Sequence, residues 1–176
     1  MLVAITGTPG VGKSTVSKIL AHRFDVIDIH SYAEKNGLFE EYDEKAGSYD
    51  VDVEKLNDRL MSESFGDKVT FLDGHLSHFV DCDTIIVLRC EPRKLYERLK
   101  ARGYDDEKIR ENVQAEVLDV ILGESVDSGI MTYELDCTDM TPDEIADRIE
   151  RIVILGETDD VSPGKVDWSG EMEEWF

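Results

Sequence analysis

Gly7-Thr8-Pro9-Gly10-Val11-Gly12-Lys13-Ser14 is the stretch of this chain whose residue types and spacing most directly specify chemistry. The pattern is G-x-x-x-x-G-K-[ST]. Its glycines let the backbone turn tightly, so that successive N–H groups and the positive end of a following helix can surround an anion. In such a turn Gly10, Val11 and Gly12 line the phosphates of ATP, and Lys13 reaches the β- and γ-phosphates. The Ser14 hydroxyl ligates Mg²⁺ and Thr15 meets the α-phosphate. The competing reading is a glycine-rich turn with no ligand, and the flanking elements decide between them.

A second group of residues follows the apolar run Val69-Thr70-Phe71-Leu72, which ends in Asp73. A nucleotide site of this kind needs an acid at the end of a neighbouring strand to hold the metal shell, and Asp73 has that placement. The alternative is an aspartate opening an Asp-Gly turn. His75, two residues on, could orient or deprotonate an attacking water, because imidazole titrates near neutrality. A loop histidine that only hydrogen-bonds is the plainer reading, and His78, His22 and His30 rank below it.

The elements that must position these residues form an alternating pattern of short apolar runs and segments of helical period, which specifies an α/β fold with helices on both faces of a parallel sheet. Leu2 to Thr6 reads as a buried strand and Ser14 to Arg23 as a helix, so the glycine-rich turn lies where its chemistry requires. Further strands are expected at Val26–Asp28, Val69–Leu72, Thr84–Leu88 and Met131–Leu135, giving five. Helices are expected over Val53–Phe65, from Pro92 to Arg102 with Gly103 as its stop, and continuously from Asp106 to Glu124. Thr141, Pro142 and Glu144 announce a last helix carrying Ile145, Ile149, Ile152 and Val153. From Glu157 the composition turns to Asp, Glu, Ser, Gly and Pro with Trp168, Trp175 and Phe176, which reads as a loosely held acidic tail with aromatic anchors.

With 176 residues the chain fits one domain. Its 40 acidic residues against 19 Lys and Arg give a net charge of −21, which disfavours contact with nucleic acid or anionic membrane over a broad face. A solvated acidic surface and a basic protein partner both fit that charge. Cys82, Cys90 and Cys137 have no CxxC or paired metal-ligand spacing, so reduced thiols are expected. Met1 leads directly into Leu2 to Ile5 with no basic segment or long apolar stretch, and a cytoplasmic protein is expected.

Taken together, the Gly7 to Thr15 loop, Leu72-Asp73-Gly74-His75, Val87-Leu88-Arg89, and Tyr96 to Tyr104 continuing to Glu111-Asn112-Val113-Gln114-Ala115-Glu116 resemble a known family. It is the archaeal and eukaryotic nuclear-type adenylate kinase family, which includes the human coilin-interacting nuclear ATPase protein. The resemblance runs from Met1 to about Leu155. It implies a P-loop NTPase fold over residues 1–156, with a monophosphate-binding insert near 28–52, a short lid near 101–111, and the acidic tail 157–176 outside it. It implies Mg-ATP as donor, AMP or a similar acceptor, and ATP hydrolysis. It also implies metal positioning and hydrolysis for Asp73 and His75, and closure of Arg102 over ATP. A guanidinium brought in on closure stabilises the charge that spreads over the transferring phosphoryl oxygens; the plainer reading of Arg102 is a solvated cation at a helix end.

The chain departs from ordinary adenylate kinases in having no Arg between Ile27 and Val53, and in continuing Asp73-Gly74 as His75-Leu76-Ser77-His78. Lys35, Lys45 and Arg89 are left as candidates for the acceptor phosphate, with Arg89 equally able to pair with an acid. Members of the resembled family also assist small-ribosomal-subunit maturation by binding a basic protein, which makes an ATP-gated assembly factor the second functional class. A GTPase is disfavoured by the absence of an N-K-x-D element, while other small-molecule kinases fit the fold.

Overall fold

The computed structural model describes residues 1–43 and 48–176, with the backbone alone over 40–43 and 48–50. A five-stranded parallel sheet is built from β1 (Leu2–Thr6), β2 (Asp25–Asp28), β5 (Thr70–Asp73), β6 (Thr84–Arg89) and β7 (Thr132–Asp136), in the order β2-β5-β1-β6-β7. This is the expected P-loop NTPase sheet. The three central strands are buried on both faces, which their β-branched runs Val69–Leu72 and Thr84–Val87 anticipate. Each fully buried Val, Leu or Ile there contributes about 1.5–3 kcal/mol before entropy is charged against it. The remaining strands, β3 (Phe39–Asp43) and β4 (Ser48–Val51), form a separate antiparallel pair inside the 28–52 segment, a feature its polar residues did not advertise.

Helix α1 (Lys13–Leu20) buries Val16 and Leu20 and packs against α7 (Pro142–Glu150). The Thr141 side chain and Glu144 close a reciprocal cap on α7, as their spacing predicts. The chain then passes through a π-helical turn, Arg151–Leu155, ended by Gly156. Helix α3 (Val53–Met61) buries Leu56 and Leu60 as expected but stops short of Phe65. Helix α2 (Ile29–Lys35) starts at the carboxyl edge of the sheet, capped by Asp28.

The segment expected to be one helix from Asp106 to Glu124 is two. Helix α5 (Asp106–Val117) ends and α6 (Val120–Asp127) begins at Asp119, which has a φ of 55°. At the break the Arg89 guanidinium donates to the Glu116 carbonyl (3.0 Å) and to the Asp119 carboxylate, partners for the groups a helix end leaves over.

The residues after Glu157 are not loosely held. Val161 is buried in the main core, its carbonyl accepts from the Glu134 N–H of β7 (2.8 Å), and Trp168 and Trp175 pack against the same core. The last turn, α8 (Met172–Trp175), lies on α4 (Pro92–Ala101) and α5: Arg93 pairs with Glu174 (2.7 Å), Gln114 donates to the Trp175 carbonyl (2.7 Å), and the Tyr96 and Trp175 rings lie 5.6 Å apart. Acidic composition concealed an apolar stripe of widely spaced aromatics.

Candidate active site

The turn between β1 and α1 has the conformation its glycines permit. Gly7 has φ 138°, and a Cβ there would lie 2.4 Å from the Leu88 carbonyl oxygen, so the loop can only approach β6 this closely through glycine. Gly12 has φ 116° and serves as the N-cap of α1, leaving the helix without a side-chain cap and its first turn available to an anion. Gly10 and Val11 are buried in the turn, while the Ser14 and Thr15 side chains are exposed at the start of the helix.

Lys13 is buried along the inside of this turn, 9 % exposed, and its Nζ donates to the carbonyls of Gly7 (2.6 Å) and Thr8 (3.1 Å). Burial lowers its pKa to about 8, against the opposing pull of Asp73 and Glu116 and with a smaller lowering contribution from Arg102. Lys13 is thus a cation held in a poorly solvated place, which is what makes it a strong anion ligand.

Asp73 ends β5 in register with Ile5 of β1 and Asp28 of β2, so three strand ends meet at one edge. Its side chain is buried and its pKa is raised by burial first, partly offset by Lys13 and by Ser17 and Ser14 beside it. Its Oδ1 is buried with no hydrogen-bond partner among the described residues. An orphaned carboxylate oxygen costs free energy unless something cationic or protic completes it. With the exposed Ser14 hydroxyl nearby, the site suits a Mg²⁺ ion as ligand set and charge both require.

His75 lies just past Asp73, exposed in its turn, with its imidazole held below the ordinary range by local desolvation and then by Lys13, His30 and His78. Lys13, Asp73, His75 and Ser14 are therefore brought together as their positions predict. Arg102 terminates α4, exposed, close enough for its charge to act on Lys13. Of the two readings of Arg89 the acid pairing is the one that forms: it is 1 % exposed and paired with Glu116, Asp119 and Glu134, so it holds the fold and is not free to meet an acceptor phosphate. Lys45 lies outside the described residues.

Sequence reading missed two contacts to the loop and one beneath it. Arg98 of α4 donates to the Val11 carbonyl (3.2 Å), and Glu116 of α5 accepts from the Thr8 hydroxyl (2.5 Å). His78 is buried between Thr6 of β1 (3.0 Å from Nδ1) and Glu124 of α6 (3.0 Å from Nε2). Arg98 and Glu116 stood in the stretches that carry the family resemblance, but no local signal gave either this contact, because the partners are far along the chain.

A family model described as an AAA domain matches residues 3–119, the stretch that contains this whole site. The chain belongs to that AAA-domain family. A Thermococcus kodakarensis protein that carries the provisional name adenylate kinase is 41% identical to it, over 99% of this chain and 96% of its own. A Methanocaldococcus jannaschii protein with the same provisional name is 47% identical over 85% of this chain and 84% of its own. Among solved structures, deoxyadenosine kinase from M. mycoides with bound dATP superposes with a TM-score of 0.53 at 16% identity, covering 87% of this chain and 99% of that one. This AAA-domain protein is accordingly a nucleotide-binding P-loop protein of kinase-like type.

Proposed function

We propose that the protein transfers the γ-phosphoryl group of ATP to AMP, giving two ADP, and hydrolyses ATP when water takes the acceptor's place. The observation that carries this reading is the opposition of the buried Lys13 cation and the orphaned Asp73 carboxylate at the edge where α2 and the 28–52 insert begin. The relatives' provisional name supports AMP as acceptor.

In this reading the loop amides of Gly10 to Thr15 grip the donor, and Lys13 neutralises charge at the β- and γ-oxygens. Asp73 and Ser14 would hold Mg²⁺, which when bound offsets the phosphate charge. Residues 101–111 serve as a short lid that brings Arg102 over the transferring group and excludes water. The same desolvation and Lys13 charge that lower the His75 pKa favour its neutral imidazole, the form able to accept a proton from an attacking water. Lys35, near the end of α2, is left as the described cation for the acceptor phosphate.

ADP formed from Mg-ATP with and without AMP tests the reading. AMP-dependent production of two ADP per ATP is expected, and ADP formation indifferent to AMP would refute it. The net charge of −21 is compatible with one further role, an assembly factor whose ATPase cycle remodels a basic small-subunit ribosomal protein. Salt-sensitive retention of such a protein, strengthened by ATP, is the expected result of a pull-down; no retention at low salt would remove that role.

A further inference from the structure

We propose that Glu116 is a positioning residue for the phosphate-binding loop, and that the carboxy-terminal segment is tied into the nucleotide site through it. This rests on the nucleotide-binding reading of the loop and concerns what holds that loop in shape.

A loop with glycine at three of its turning points loses much freedom when it closes on an anion, so something must hold it beforehand. Thr8, 1 % exposed, is where it is held. Its carbonyl receives the Lys13 ammonium (3.1 Å) and the Val11 N–H (3.2 Å), and its hydroxyl donates to Glu116 Oε2 at 2.5 Å. The orientation of the Thr8 peptide therefore sets both the Lys13 position and the first bend of the loop.

Glu116 is fixed in turn. Its Oε1 accepts from Arg89 Nε (2.7 Å) and from the Cys90 N–H (3.1 Å). Arg89 Nη1 donates to Glu134 Oε1 (2.5 Å), and Glu134 Oε2 accepts from three successive backbone amides, Gly164 (2.8 Å), Lys165 (3.0 Å) and Val166 (3.3 Å). Glu116, Arg89 and Glu134 are all almost wholly buried. Three converging amides make an anion nest of the kind a phosphate loop also uses, and here a carboxylate of the same chain fills it. A buried ionic network is weak evidence for stability, since apolar residues of the same shape do as well. The Thr8 contact adds a neutral hydroxyl to one end of it, and that contact orients the loop.

Full-length Thr8→Val and Thr8→Ser proteins test the proposal, with Mg-ATP affinity by titration calorimetry and turnover at saturating AMP. Thr8→Val, which keeps the shape without the hydroxyl, is expected to weaken ATP binding about tenfold, as loss of a hydrogen bond to a charged group does. Thr8→Ser, which keeps the hydroxyl, restores the affinity. Glu134→Gln, remote from the loop, is expected to weaken ATP binding roughly threefold, and the double variant to bind no worse than Thr8→Val, since one path is already cut. ATP affinity of Thr8→Val equal to that of the parent overturns the Glu116 role, and single effects that multiply in the double variant overturn the tie to the tail. A parent protein that gives no heat with Mg-ATP fails the nucleotide reading itself.

Discussion

Replacing Lys13 with Met should make the nucleotide-free protein more stable while destroying its function. The ammonium is 9 % exposed and its pKa falls from 10.5 to about 8. At about 1.4 kcal/mol for each tenfold, that displacement is about 3 kcal/mol spent on keeping the charge at pH 7. Methionine has a similar stem and no charge, but it leaves the Gly7 and Thr8 carbonyls without the ammonium, returning about 1 kcal/mol of the gain. A net gain of about 2 kcal/mol corresponds to a Tm rise of about 4–8 °C for a chain of this size. The sign with pH follows from the lowered value. The folded wild type binds fewer protons than the unfolded chain between about pH 8 and 10.5, so its stability rises through that window and its deficit against the variant closes. Urea unfolding at pH 7 and pH 10, with and without Mg-ATP, measures this. Mg-ATP should raise the wild-type midpoint and leave that of Lys13→Met unchanged. A variant less stable than the wild type at pH 7 without nucleotide would refute the reasoning, because Asp73 and Glu116 would then outweigh the burial of the charge.

Asp73→Asn should leave ATP binding in EDTA within about threefold and lower Mg²⁺-dependent turnover at least about a hundredfold, as removal of a charge-stabilising group does; equal turnover would deny Asp73 the metal. His75→Ala is expected to reduce hydrolysis without AMP about tenfold or more and AMP-dependent transfer by less, and equal losses in the two assays would deny it the water. Arg89→Ala leaves buried carboxylates unpaired and should cost about 3–5 kcal/mol, with a Tm within 2 °C of the parent counting against the network. In each case circular dichroism of the variant separates misfolding from loss of chemistry.

What could be read from the sequence was local. The Gly7–Ser14 spacing, the apolar strand ending in Asp73, and the Thr141–Glu144 cap each lie within a few residues, and each formed as its pattern dictates. What could not be read depends on partners far apart in sequence. Nothing near Arg89 says that Glu116, 27 residues on, and Glu134, 45 residues on, will neutralise it. Without that pairing the break at Asp119 is also invisible, because Asp106 to Glu124 keeps helical period throughout. The carboxy-terminal segment misled for the same reason: acidic residues dominate its composition, while Val161, Trp168 and Trp175 do its packing.

The closure of α8 over α4 and α5 has a consequence for synthesis. The ribosome delivers the amino-terminal turn early and the residues that brace it from behind well over a hundred residues later. A chain still in the exit tunnel beyond Asp136 can pair its five strands, yet the Glu134 nest and the Trp175 latch do not exist until residues 164–175 have emerged. Full affinity for nucleotide then waits on residues 164–166, and a stop codon between Asp136 and Gly164 would leave a paired sheet whose loop is held less firmly.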